Sequence, residues 1–326
     1  MTGRRALVVV AGLLISAAAL WIVLQTIDVG EAAAVLGRAE PVPQLAIVAV
    51  AAIQVTLRAR RWAILLPTTA RVAVIRLLPP LLVGYLGNAV LPARLGEPMR
   101  AVVVARRERV GTTEALGSVL IERVVDVATL APVAFVAAIL VGAPAWTTQA
   151  LGIAAAAGIA GIALLVTMGL QPLVRLADRL GLERRPTLRD LVARFTATLG
   201  GPSRRGTLLS AAGISVLAWL LDATSFWLAG QAVGADVSYA GAMLIGGVTV
   251  LGTAIPSAPG YVGTFELAAA GMAGILGVPG AEALAMAVVA HVMTLGPMAL
   301  GGAASVVLMG SSLGEIARSA ETSRHA

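Results

Sequence analysis

The stretch Gly87-Asn88-Ala89-Val90-Leu91-Pro92-Ala93-Arg94-Leu95-Gly96-Glu97 decides how this chain folds. It interrupts an apolar run of membrane length with proline and glycine, and Gly252-Thr253-Ala254-Ile255-Pro256-Ser257-Ala258-Pro259-Gly260 repeats the interruption more weakly. In hydrocarbon each backbone group left unpaired costs several kcal/mol, so a lipid-facing helix is not easily broken. Broken backbone at membrane depth points instead to a cavity lined by protein or water. Two such breaks at matching places in two halves of a chain are the best sequence pointer to a transporter's binding site.

The composition around these breaks agrees. Of 326 residues, 58% are hydrophobic and 13% charged, with a mean hydropathy of +0.91, far from an ordinary soluble domain. A single polytopic membrane domain is expected. Aromatics make up only 4%, so the helices are small-faced and can approach closely in lipid. All 24 basic residues are arginine and the net charge is +7. They cluster between apolar spans, as the positive-inside rule requires, which argues against nucleic acid as a partner. With no cysteine, disulfides and thiolate metal sites are excluded. Arg4 and Arg5 precede an apolar run with no convincing cleavage site, which reads as an uncleaved first helix.

The chain then reads as an all-α membrane protein of about six full spans and two re-entrant helical hairpins. A helix from Ala6 to Ile27 leads outward to a polar external loop, closing a segment 1–41. Repeat one, 42–141, starts with an inward span from Val42 to Leu66, whose Arg58, Arg60, Arg61 and Trp62 are expected at the cytoplasmic interface. Arginines flank both ends of Leu77–Ala105, about thirty residues, too many for one span and too few for two at roughly twenty each. A hairpin over 77–105 with its tip near Asn88 fits. Thr113–Val141 goes out and Ala150–Leu170 returns within a connecting segment 150–206, whose Arg175–Arg205 part is a cytoplasmic loop. Leu188, Leu191, Val192, Phe195 and Leu199 recur there at helical spacing, giving either a surface helix on the anionic leaflet or a solvated basic linker. Repeat two, 207–309, inverts the plan: Thr207–Gly230 outward, a hairpin over 240–277 from outside, and Ala283–Met309 inward. A tail, 310–326, leaves both termini cytoplasmic.

Three constellations can carry chemistry. Arg94, Glu97 and Arg100 follow Pro92, and Pro98 suits the first turn of a half-helix that begins near Gly96. Its amino end is an anion site, and arginine beside it offers bidentate phosphate contacts; alternatively Arg94 and Glu97 pair to seal the hairpin. Glu122, Arg123 and Asp126 lie in a span, where charge is expensive and must face the bundle interior. Their roles are a salt bridge to Arg94 or Arg100, a headgroup contact, or a proton relay. Pro256, Pro259, Gly260 and Gly263 shape the second break, and Glu266 either holds a proton or amine or caps its own helix. Asp222 and His291 are lone intramembrane polar residues expected to be internally bonded. No metal-spaced cluster, nucleophile elbow, P-loop or dinucleotide fingerprint is present, so neither a cofactor nor a metal is expected.

With these motifs in place, the chain resembles the transmembrane region of lysylphosphatidylglycerol synthases and its stand-alone flippase-like relatives. The resembling residues are Arg58–Trp62 in "LRARRW", Asn88–Glu97 in "NAVLPARLGE", Glu122–Asp126 in "ERVVD" and Pro256–Glu266 in "PSAPGYVGTFE". The resemblance implies a lipid-handling domain. It does not imply lysyl transfer, which belongs to a large soluble domain in the synthases. Tyr261 stands where relatives often carry a small residue.

The leading expectation is a non-enzymatic lipid flippase or transporter of the bacterial cytoplasmic membrane. Its substrate would be an anionic or aminoacylated phospholipid, or a lipid linked to polyprenyl phosphate. Alternatives are an accessory scaffold that docks an envelope enzyme through the arginine-rich loop, and a lipid-phosphate transferase using the same carboxylates.

Overall fold

The computed structural model describes residues 3–66, 72–91, 94–108, 110–168, 204–310 and 312–316. Apart from a single 3-10 turn at Pro259–Tyr261, the described elements are α-helices: α1 (Gly3–Thr26), α2 (Val29–Leu36), α3 (Pro41–Leu65), α4 (Val74–Val90), α5 (Gly96–Glu108), α6 (Thr112–Leu140), α7 (Ala145–Met168), α8 (Arg204–Val233), α9 (Tyr239–Gly252), α10 (Thr264–Ile275) and α11 (Gly280–Leu308). Six of them, α1, α3, α6, α7, α8 and α11, are long and apolar enough to cross a bilayer. Their outward faces carry large exposed hydrophobics, among them Leu14 and Trp21 on α1, Ile153 on α7 and Val307 on α11, as lipid contact requires. Helix α7 begins ahead of the expected Ala150, so Trp146 lies in its first turn. The arginine-rich loop with its spaced hydrophobics, and the tail from 317 onward, lie outside the described residues.

The five remaining helices are short. Helix α4 has 17 residues and α9 has 14, and at about 1.5 Å per residue neither reaches the ~30 Å of a hydrocarbon core. Each folds back on its successor. In hairpin one, Arg76 Nη1 lies 3.5 Å from Glu108 Oε2 at the open end, while Gly87 meets Gly96 near the tip. Gly96 sits so close to α4 that an added methyl would run into the Gly84 carbonyl and come within 2.6 Å of Asn88 Oδ1. Small residues here let two backbones pack without intervening side chains. In hairpin two, Gly241 packs on Leu276 at the open end and Gly252 on Ala268 nearer the tip.

Helices α3 and α8 run antiparallel. The Glu40 amide donates to the Ala232 carbonyl (2.8 Å), Gln54 Nε2 to Ala218 O (3.1 Å) and Arg61 Nη1 to Ser215 Oγ (2.6 Å). Helices α6 and α11, 29 residues each, both pass the two hairpins in turn, in opposite directions. The amino half of α6 packs Ala115 and Val119 with Ala101 and Val104 of α5, and its carboxyl half packs Ala134 and Ala138 with Leu244 and Ile245 of α9. On α11 the order reverses: Ala283 to Ala290 join Ala269 and Met272 of α10, and Met298 then joins Leu77 and Leu81 of α4. Hairpin two also leans on α1, where Ser16 Oγ accepts the Ala258 N–H at 2.8 Å and Gly12 lies against the Ser257 backbone.

Candidate functional site

The tips of the two hairpins touch. An Arg94 Nη donates to the carbonyl of Thr253, the residue that ends α9, and the Arg94 guanidinium lies 5.5 Å from the centroid of the Tyr261 ring. Gly260 approaches the carbonyl of Ala89. Arg94 and Tyr261 are the positive-φ non-glycine residues of the described chain, at 53° and 61°. A side chain in that region costs about 1–2 kcal/mol, so each tip holds a strained residue against the other.

Beneath this contact lies a cavity of about 180 Å³. One water needs roughly 10–15 Å³ on the same measure, so the space suits a small polar group with its hydration rather than a whole lipid. Both hairpins and helices α3, α6, α8 and α11 line it. Among its wall residues are Asn88, Arg94, Glu97, Arg100, Glu122 and Arg123 from the sequence-based candidates, joined by Asp222 and His291. Asp126 stands behind the wall in the charge network. Pro256 is exposed and, like Pro259, Gly260 and Gly263, shapes the second tip without lining the cavity.

The amino end of α5 opens on this space, with Gly96 and Glu97 in the wall. Asn88 Oδ1 accepts the Gly96 N–H at 3.1 Å, so one of the orphaned donors at that end is satisfied from the same hairpin. Glu122 is 1% exposed and accepts from Arg100 Nη2 at 2.7 Å and from Arg61, which also bonds Asp126. Arg123 reaches Asp126 at 3.1 Å and Glu97 at 3.6 Å. The expectation that the Glu122 group faces inward and meets Arg100 agrees with this geometry. The expectation for Arg61 and Trp62 does not. Arg61 is 1% exposed and Trp62 is fully buried, its Nε1 donating to Ser118 Oγ at 2.9 Å, while Arg60 alone of that run faces outward. Two carboxylates on α6 hold Arg61 inside, and an interfacial position would leave the group of three carboxylates one cation short.

Glu266 caps its own helix, accepting the Gly263 N–H at 2.7 Å, and its other oxygen is 2.6 Å from His291 Nδ1. The His291 ring stacks on Phe265 with centroids 4.2 Å apart. Asp222 accepts from Gln54 Nε2 at 3.2 Å. Sequence reading missed Gln54, Tyr85 and Trp219, all in the wall, while Tyr261, noted for its size, lines it too. Arg58 was visible only as a flanking charge; it lies 5.0 Å from the Trp219 ring.

Not all donors are used. Arg58, Arg94 and Arg123 each keep a buried Nε, and Arg100 a buried Nη1, without a protein partner among the described residues. Buried arginine nitrogens without acceptors call for a bound anion or water. Among the described residues no three His, Asp or Glu side chains converge as a metal would require.

Comparison with known proteins identifies the lineage. The model of the lysylphosphatidylglycerol synthase TM region matches residues 9–302, and the chain belongs to that family. The chain is therefore a multi-pass membrane protein of a lipid-related family. It is also 29% identical over 351 residues to a protein named glycosyltransferase AglD from Haloferax volcanii, with 95% of this chain and 55% of the relative covered. The chain thus spans about half the length of that relative. No solved structure matches it.

Proposed function

We propose that this member of the family moves a lipid with an anionic headgroup between the leaflets of a bacterial cytoplasmic membrane, without chemical change to the lipid. The observation that carries the reading is the set of arginines around the cavity, Arg58, Arg94, Arg100 and Arg123, each with a buried nitrogen that no group among the described residues accepts from. A phosphate oxygen fits such donors in bidentate geometry. The cavity's size admits the headgroup while the acyl chains stay in lipid. Phosphatidylglycerol, its aminoacylated form and a polyprenyl phosphate share this chemistry.

The architecture we assign is an inverted repeat, α3–α6 and α8–α11, with each hairpin re-entrant from its own face. Supporting it, the two hairpins occupy opposite halves of α6 and α11 and meet at mid-length. Ser16, which holds the second tip, sits midway along α1, while Ile27 at the end of α1 packs over Gly280 at the start of α11. The second tip therefore stops near half depth when α1 crosses the bilayer. The glycosyltransferase name attaches to a relative nearly twice as long, and we assign the shared part to lipid handling.

Proteoliposomes carrying fluorescent phosphatidylglycerol, aminoacylated phosphatidylglycerol or polyprenyl phosphate test this. Wild type is expected to move at least one of them. Arg94→Gln, which removes a charged donor worth about 1.5–3 kcal/mol, is expected to slow it by tenfold or more in folded protein. Undiminished movement by Arg94→Gln and by Arg100→Gln overturns the assignment.

A further inference from the structure

The register of α6 against α11 reveals an echo that the hairpin breaks alone do not. The third to fifth residues of both 29-residue helices are Glu-Ala-Leu, Glu114–Leu116 and Glu282–Leu284. The twelfth residue is basic in both: Arg123 in α6, His291 in α11. Each of these pairs with a glutamate in the first turn of the preceding hairpin helix, Arg123 with Glu97 and His291 with Glu266. The two halves thus build the same ion pair at equivalent places, with Glu97, Arg123 and His291 in the cavity wall and Glu266 outside it. They differ in one chemical respect. Guanidinium is charged at every physiological pH, whereas imidazole gains or loses its proton between about pH 5 and 8.

We infer that His291 and Glu266 form a proton-binding site that couples the cavity to pH, with Arg123 and Glu97 as its fixed counterpart. The inference rests on the transport reading only for what the proton does, not for where it binds. With a doubly protonated imidazole the pair is neutral, and with a neutral one it carries one negative charge on the second hairpin. The guanidinium of the first hairpin's pair keeps its charge throughout. Both imidazole and carboxylate are held: Glu266 by the Gly263 N–H, His291 by stacking on Phe265. The other charged or titratable groups on the same cavity wall are Arg58 on α3, Tyr85 on α4, Arg94 and Tyr261 at the tips, Glu97 and Arg100 on α5, Glu122 and Arg123 on α6 and Asp222 on α8. Among the described residues none but Glu266 bonds the imidazole.

The chain has two histidines, His291 and His325. His325→Ala therefore leaves one, and histidine-selective nitrogen NMR of that full-length variant in nanodiscs of phosphatidylethanolamine and phosphatidylglycerol reads the site directly. The imidazole nitrogen signals are expected to respond to pH, and Glu266→Gln is expected to change that response. Signals that ignore pH, or a response indifferent to Glu266→Gln, overturn the site. Coupling is read from movement of fluorescent phosphatidylglycerol, aminoacylated phosphatidylglycerol and polyprenyl phosphate, each with and without a gradient of one pH unit, which changes the ratio of charged to neutral imidazole about tenfold. Wild type is expected to respond, and His291→Arg to move lipid at a rate that ignores the gradient; His291→Gln serves where the arginine does not fold. A full gradient response in both variants overturns the coupling. No movement by any form, with a normal titration, overturns the transport reading and leaves the proton site standing.

Discussion

Hairpin one and hairpin two have similar shapes and are held by opposite means. The first is fixed by charge: Arg100 on α5 bonds Glu122 on α6, which bonds Arg61 on α3, which bonds Asp126. The second sits in the largest apolar cluster, where Leu244, Ile245, Ala269 and Met272 meet the alanines of α6, α8 and α11, and its polar ties include one charged pair, Glu266–His291, beside a serine on α1, the Tyr239 hydroxyl on the Leu220 carbonyl of α8 and the Thr253 carbonyl that takes Arg94. Ion pairs with fixed geometry hold a register, while smooth alanine surfaces tolerate sliding. The difference teaches that one half can serve as a frame and the other as the part that shifts.

The comparison is easiest to break at the charges. Glu122→Gln removes the carboxylate shared by Arg61 and Arg100 and is expected to destabilise the protein by about 3–5 kcal/mol, read by unfolding in detergent. Glu266→Gln is expected to cost only about 1–2 kcal/mol, because its partner can discharge. Equal losses would mean the halves are held alike. Next comes packing at the tips. Gly96→Ala forces a methyl onto the Gly84 carbonyl and is expected to cost about 1–3 kcal/mol with loss of lipid movement. The smallest effect belongs to Gly271 in the middle of α10, where an added methyl meets nothing. Gly271→Ala is expected to stabilise by up to about 1 kcal/mol, from helix propensity alone. A loss there would reveal a neighbour that packs on this face.

The frame was legible from sequence wherever a residue's cost in lipid dictated its place. Proline and glycine at Pro92, Gly96, Pro256 and Gly260 marked the breaks because hydrocarbon offers no water to repair them, and Glu122 and Asp126 had to point inward. Arg61 was illegible for a geometric reason. Arg60 and Arg61 are one residue apart, so about 100° of helix rotation sends one to the surface and one into the core, and only the position of α6 decides which. The positive φ of Arg94 and Tyr261 was hidden too, since neither is a residue that favours that backbone. The Glu-Ala-Leu echo was present all along, but the shared first residues of α6 and α11 supply the register that exposes it.

The network on the first half has an electrical consequence. Arg61, Arg100 and Arg123 stand against Glu97, Glu122 and Asp126, so the group sums to zero charge. A unit charge carried across a membrane at 100 mV exchanges about 2.3 kcal/mol with the field, but a neutral cluster moving as one body exchanges none. That cluster is blind to voltage, and Arg58, Arg94 and Asp222 on the same wall stand outside its sum.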